Sequence, residues 1–116
     1  MFEPADSIFW HAVRAERPEL YKRFSPWDSI TTPDALAALF AVAEVPDARV
    51  VAESGTHPLG SPAAAWALIM GSGYRGTVEQ LTAGERARVE ARYLGELAAR
   101  KAREITADVL YAVARA

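Results

Sequence analysis

The chain has 116 residues, a length typical of one domain with a modest hydrophobic core. Apolar residues make up 51% of it, but 24 residues are Ala, so fewer large side chains are available for burial than that fraction indicates. The net charge is −2 and the sequence has no basic stripe. Its electrostatics therefore do not indicate binding to nucleic acid or to anionic lipid. The lack of cysteine excludes disulfides and thiolate metal sites, and no apolar run approaches the roughly 20 residues of a membrane span. We therefore expect a soluble cytoplasmic protein that binds neither nucleic acid nor membrane.

Two helices are predicted in the first third of the chain. Asp6 or Ser7 can cap the first helix, whose apolar residues follow helical spacing until Pro18 interrupts it. Thr32-Pro33-Asp34 combines a capping hydroxyl, a proline at the first helical position and an acid that faces the helix dipole. This combination predicts a second helix, which should end before Pro46.

The rest of the chain predicts two strands separated by helices. Residues 48–56 are β-prone and indicate the first strand. Ser61-Pro62 predicts a short helix, Thr77 a further helical turn, and Thr82 with Glu85 a capping box that starts the longest helix. After a turn near Ile105-Thr106, residues 108–115 form a second β-prone run.

These elements predict a single α+β domain with a two-stranded antiparallel β pair. Its parts are a helical N-terminal segment (residues 1–31), a helix plus strand (32–60), a helical cap (61–104) and a terminal strand (105–116). Two strands alone are marginally stable, and the apolar run from Val109 to Ala114 is typical of a strand that has neighbours on both sides. The sequence therefore predicts a sheet that lacks some of its strands.

Four segments carry a resemblance to a known family. They are Pro26-Trp27-Asp28, Ser54-Gly55-Thr56-His57-Pro58-Leu59, Gly71-Ser72-Gly73-Tyr74-Arg75-Gly76-Thr77 and Asp108-Val109-Leu110-Tyr111-Ala112-Val113-Ala114. In this order they resemble the C-terminal portion of small-molecule class I S-adenosylmethionine-dependent methyltransferases. The resemblance implies that residues 33–44 are the last sheet-packing helix, that the two strands are the antiparallel sixth and seventh of a seven-stranded sheet, and that the helices between them cap the substrate cleft.

The donor-binding features of that family are missing from the chain. Its members bind S-adenosylmethionine through an acidic, Gly-rich loop after the first strand and an acid after the second, on parallel strands that this sequence does not predict. We therefore expect no cofactor to be bound by this chain alone. S-adenosylmethionine would bind only if a separate donor-binding polypeptide completed the fold, and methyl transfer by the isolated chain is not expected.

Gly71 to Gly76 matches G-x-G-x-x-G, the dinucleotide-binding fingerprint, but its context argues against nucleotide binding. The fingerprint requires a preceding strand and a following helix within a βαβ unit, whereas a helical pattern precedes it here. Two interpretations remain open. The glycines form either a flexible hinge for a cap that opens or an ordinary turn between helices.

Five residues are candidates for contacts with a small organic substrate: Trp27, His57, Trp66, Tyr74 and Arg75. The aromatic rings could form an apolar wall, the guanidinium could hold an acidic group, and His57 could act as a base at the mouth of a cleft. Each residue also has a structural interpretation, because aromatic residues fill cores, and charged or imidazole groups occupy ordinary loops. His11 is assigned a structural role, no catalytic residue is identified, and two separated histidines predict no metal site.

Two other functions remain open. The chain could be a non-catalytic module that holds a small ligand or self-assembles as a dimer or larger homo-oligomer, through an exposed strand edge or an apolar helix face. It could also be a remodelled enzyme that uses the cleft for chemistry without the methyl donor.

Overall fold

A computed structural model describes residues 2–45 and 47–115 and shows an α+β fold. The helices are α1 (Ala5–Glu16), α2 (Pro33–Val42), α3 (Pro62–Met70), α4 (Arg75–Val78) and α5 (Ala83–Ala99). The strands are β1 (Arg49–Glu53), β2 (Thr56–Pro58), β3 (Glu104–Thr106) and β4 (Val109–Val113). Short 3-10 helices span Pro18–Leu20 and Pro26–Ile30. The predicted α+β class is confirmed.

The chain divides into two compact units. The first, here called the core unit, lies within Met1–Lys22 and Thr56–Thr106 and contains α1, α3, α4, α5, β2 and β3. The second, here called the ribbon unit, lies within Arg23–Gly55 and Ala107–Ala116 and contains α2, β1 and β4.

The hydrophobic core of the core unit is formed mainly by α1, α3 and α5. Helices α1 and α3 both pack against α5. Phe9, Ile69 and Tyr93, one from each helix, are fully buried. Val89 and Leu97 are buried on the same side of α5 as Tyr93, so this helix packs one apolar face into the core.

Strands β2 and β3 form a short antiparallel pair within the core unit. The register places His57 opposite Ile105. The N-terminal segment is attached to the same pair, because the Thr106 N–H donates to the Glu3 carbonyl at 2.8 Å and the Glu3 N–H donates to Thr106 Oγ1 at 3.0 Å. The predicted turn near Ile105-Thr106 is therefore wrong: the side chain of Ile105 is buried, and this burial holds the segment as a strand.

Local capping signals explain where three of the helices begin. Thr32 Oγ1 accepts a hydrogen bond from the Ala35 N–H at the start of α2, and Ser61 Oγ accepts one from the Ala64 N–H at the start of α3, each at 3.2 Å. In α5, the Glu85 N–H donates to Thr82 Oγ1 and the Thr82 N–H donates to the Glu85 carboxyl, which is the predicted capping box. These three predicted helix starts are confirmed.

Two other predicted caps are wrong. Helix α1 begins at Ala5 without a side-chain cap, because Asp6 and Ser7 lie inside the helix and make other hydrogen bonds. Thr77 does not cap a helical turn either. It lies within α4, and its hydroxyl is fully buried without a hydrogen-bond partner in the described part of the chain.

In the ribbon unit, β1 and β4 form the antiparallel pair that the sequence predicts. Residues directly opposite each other share a face of such a ribbon, and the register pairs Val51 with Tyr111 and Val50 with Ala112. Helix α2 packs against both strands, and half-buried Val50 and Leu110 lie on the face that it covers. The opposite face remains largely exposed.

The described residues contain no helix that is both long enough and apolar enough to cross a membrane.

Candidate functional site

Tyr74, one of the predicted substrate-contacting residues, lies in the core. Its side chain is buried, and its ring centroid is 5.1 Å from that of Phe9 and 6.0 Å from that of Trp10. Its hydroxyl donates a hydrogen bond to Asp6 Oδ1 at 2.5 Å. Burial, and secondarily the Asp6 carboxyl, raises the pKa of this hydroxyl far above its ordinary value. The hydroxyl therefore holds its proton at neutral pH and joins α1 to the start of α4.

Trp66 also packs into the core. Its ring centroid is 6.0 Å from that of Tyr93, and only 8% of the residue is exposed. The Tyr93 hydroxyl donates to the Ala65 carbonyl oxygen at 3.1 Å, and burial raises the Tyr93 pKa to about 12. Trp66 and Tyr74 thus belong to one aromatic cluster, which is joined through Phe9 and Tyr93.

Arg75 and His57 are on the surface of the core unit. The Arg75 guanidinium pairs with Glu79 one helical turn later, with Nε 2.7 Å from Oε1. His57 is exposed in β2, and no hydrogen bond of its side chain is found in the described part of the chain. An imidazole without an orienting partner lacks the geometry that general-base catalysis requires.

Trp27 belongs to the ribbon unit. It lies in the 3-10 helix Pro26–Ile30, where the Ser25 N–H donates to Asp28 Oδ2 at 2.8 Å, and 66% of the residue is exposed. The hydrogen bond that shapes the segment around Trp27 thus joins residues close in the sequence. The four other candidates lie in the core unit.

The G-x-G-x-x-G segment does not have the surroundings of a phosphate-binding loop. Gly71 ends α3, Gly73 lies in the connecting turn, and Gly76 lies inside the single turn of α4. The element directly before the segment is helix α3 rather than a strand, and none of the three glycines has a positive φ. The segment therefore has the geometry of a turn between helices.

An open groove between α1 and α5 brings together residues that the sequence interpretation did not combine. Its volume is about 440 Å³, and Ile8, His11, Ala12, Ala15, Arg92, Gly95 and Glu96 line it. The guanidinium of Arg100 pairs with Glu96 at 2.7 Å, whereas Arg92 forms no ion pair with any described carboxylate. His11 is exposed here, and the regular helical spacing of small residues around it is the signal that could have identified the groove.

Ion pairs join the ends of α1 and α5 beside this groove. The Arg17 guanidinium lies 3.0 Å from Glu85 Oε2, and Arg88 pairs with Glu16. The Thr82 N–H and the Arg17 guanidinium hold the pKa of the Glu85 carboxyl below its ordinary value. The Arg88 guanidinium has the same effect on the pKa of Glu16.

Among the described residues, the large exposed apolar side chains all lie in the ribbon unit. They are Phe24, Trp27, Leu39, Val42, Val51, Val109, Tyr111 and Val113. Four of them (Val51, Val109, Tyr111 and Val113) form one face of the β1/β4 ribbon. These four residues, together with Arg49 and Glu53 on the same side of the ribbon, form what is called the open face below.

The described residues were also compared with the requirements of a metal centre. In residues 2–45 and 47–115, no group of three or more His, Cys, Asp or Glu side chains could hold a metal ion. Comparison with models of protein families, with curated proteins and with solved structures finds no match to this chain.

Proposed function

We propose that this chain is the substrate-side portion of a methyltransferase that uses S-adenosylmethionine and acts together with a separate polypeptide that binds the donor. The observation that supports the proposal most strongly is the two-stranded sheet of the ribbon unit. Strands β1 and β4 are antiparallel, α2 packs on one face, and neither strand has a second neighbour among the described residues. The last two strands of a class I methyltransferase would have this arrangement if the rest of the sheet were removed.

The free edge of β4 is consistent with the addition of another strand. Its five residues Val109–Val113 carry no charge and no proline, although charged residues and proline are the usual means of protecting a sheet edge from other strands. The backbone N–H and C=O groups along an unprotected edge form hydrogen bonds when a further strand is added. We propose that the donor-binding polypeptide supplies that strand.

In this proposal the core unit is the cap on the substrate side. Trp66 and Tyr74 would give it a rigid interior rather than a binding wall, because both are buried in its core. Substrate contacts would then be made by exposed residues, of which His57, Arg75 and Trp27 remain candidates. The chain would contribute position and orientation, which can account for a large part of the acceleration of a group transfer.

Calorimetry can test the need for a second polypeptide. S-adenosylmethionine is titrated into the purified chain, into a candidate polypeptide that carries the acidic Gly-rich loop and is encoded beside it, and into their mixture. We expect no heat of binding with this chain alone and tighter binding in the mixture than with the candidate polypeptide alone. Saturable 1:1 binding by this chain alone would contradict the proposal.

A second candidate function is a non-catalytic module that self-assembles. It is favoured by the concentration of the large exposed apolar side chains in the ribbon unit, since large exposed apolar patches mark interaction surfaces. In this case the chain would associate with itself without any donor-binding polypeptide, and it would not affect the affinity of such a polypeptide for S-adenosylmethionine.

A further inference from the structure

We propose that two copies of this chain pair face to face through the open face of the β1/β4 ribbon, with their strands antiparallel. The pairing does not depend on the methyltransferase proposal, because it uses the face of the ribbon and leaves the free edge of β4 available. It identifies a homodimer interface that the sequence interpretation, which considered a strand edge or a helix face, did not include.

The register of the ribbon defines the composition of this surface. Arg49 is opposite Val113, Val51 is opposite Tyr111, and Glu53 is opposite Val109, so the side chains of these six residues project from one face. The apolar members are exposed to a degree unusual for such large side chains, at 42% for Val51, 43% for Val109, 49% for Tyr111 and 65% for Val113. The other face is covered by α2.

The positions of the two charges favour a second copy as the partner. Arg49 and Glu53 stand at opposite ends of β1, with Val51 between them, whereas the positions opposite them on β4 are uncharged. A two-fold axis that lies midway between the two ribbons, parallel to both sheets and perpendicular to the strands, would place Arg49 over Glu53 of the second copy, twice. It would also place Val51 over Val51, Tyr111 over Tyr111 and Val109 over Val113.

The alternative two-fold axis is unfavourable. An axis parallel to the strands would place β1 over β4 of the second copy and bury both charges against valine, so Arg49 would face Val113 and Glu53 would face Val109. A purely apolar partner, such as a lipid surface or an uncharged helix, would leave the same charges without partners. Only the antiparallel superposition matches charge with opposite charge and apolar with apolar.

The size of the face limits the strength of this association. Strands of five residues are about 17 Å long and neighbouring strands lie about 5 Å apart, so the ribbon supplies only part of the roughly 800 Å² per partner that stable complexes bury. Aligned packing of two sheets at about 10 Å would bring the Tyr111 rings of the two copies into contact at its centre. We therefore expect a dimer that dissociates on dilution.

Sedimentation equilibrium of charge-reversal variants tests the pairing. Arg49→Glu would place Glu against Glu53 of the second copy, and Glu53→Arg would place Arg against Arg49, so either single change should raise the dimer dissociation constant roughly tenfold or more. The double variant R49E/E53R restores opposite charges and should return the constant to within about threefold of the unmodified chain. Because the two single changes alter the net charge in opposite directions, a net-charge effect would not weaken both.

Arg86→Glu is the matched control. Arg86 is exposed on α5 in the core unit and makes no ion pair with any carboxylate that the structure describes, so its reversal should leave the dimer dissociation constant unchanged. Far-UV circular dichroism establishes that each variant is folded. A chain that is monomeric at all concentrations would overturn the proposal. A dimer that tolerates either single reversal, or that the double reversal fails to restore, would overturn it as well.

Discussion

The Tyr74 hydroxyl donates a 2.5 Å hydrogen bond to Asp6 Oδ1, and this bond joins the residue before α4 to the first turn of α1. The two residues are 68 positions apart in the sequence, and the ring of Tyr74 is buried against Phe9. Tyr74→Phe keeps the ring and removes the bond, so we expect the free energy of unfolding to fall by roughly 1.5–3 kcal/mol. Urea denaturation followed by circular dichroism measures the change.

Tyr21→Phe is the control for this prediction. Tyr21 is half-buried, its ring lies 6.2 Å from that of Trp10, and its hydroxyl makes no hydrogen bond within the described residues. We expect its removal to change the free energy of unfolding by less than about 0.5 kcal/mol. Equal losses in the two variants would show that the bond to Asp6 contributes nothing specific.

Alkaline pH should destabilise the core unit through its two buried tyrosines. Burial raises the pKa of Tyr93 to about 12 and raises that of Tyr74 further, whereas an unfolded chain ionises its tyrosines near pH 10. The stability that these hydroxyls contribute is thus complete below pH 10 and is lost as the pH rises above it. The free energy of unfolding should fall steeply above pH 10, and a Y74F/Y93F variant should show a shallower fall. An identical slope in both proteins would contradict this origin.

The capping box of α5 gives a prediction about a single hydroxyl. Thr82→Ala removes the acceptor for the Glu85 N–H and should lower the free energy of unfolding by about 1 kcal/mol. Thr82→Ser retains the hydroxyl and should behave like the unmodified chain. The other half of the box depends on pH. Because the pKa of Glu85 is held low mainly by the Thr82 N–H, the stability that the Glu85 carboxylate contributes is present above about pH 4.5 and is lost as the pH falls through the lowered pKa. Chemical denaturation at pH 7 and pH 3 measures both effects.

Two glycines should respond differently to the same substitution. Gly60 has a φ of +65°, a conformation that costs an L side chain about 1–2 kcal/mol, so Gly60→Ala should destabilise the core unit by that amount. A Cβ added at Gly73 would have no atom within 4 Å, and the backbone there needs no positive φ. Gly73→Ala should therefore leave the free energy of unfolding nearly unchanged or slightly higher. A large loss at Gly73 would contradict the open, unstrained surroundings described for this glycine.

The elements that local interactions determine were predictable from the sequence. The helix starts at Thr32-Pro33, Ser61-Pro62 and Thr82 depend on hydrogen bonds between residues three apart, so the necessary groups are visible in a short stretch of sequence. The β-prone composition of Arg49–Glu53 and Val109–Val113 likewise identified the two strands of the ribbon.

Elements that depend on distant partners were missed. Strands β2 and β3 have three residues each and pair across about 50 positions of chain, so neither has a local signal of its own. Asp6 is a residue type that commonly caps helices, but its carboxyl accepts a hydrogen bond from the Tyr74 hydroxyl instead.

Trp66 and Tyr74 show why the candidate site was difficult to predict. Aromatic residues at helical spacing fit a core and a ligand wall equally well, and only the tertiary packing distinguishes the two.

The proposed dependence of donor binding on a second polypeptide is tested most directly by titrating S-adenosylmethionine into this chain alone and into its mixture with the candidate donor-binding polypeptide. The two-stranded sheet formed by β1 and β4 leads us to expect no binding by the chain alone, together with a mixture that binds at least tenfold more tightly than the candidate polypeptide by itself. Saturable binding by this chain in isolation, or an affinity that the chain leaves unchanged in the mixture, would contradict the account.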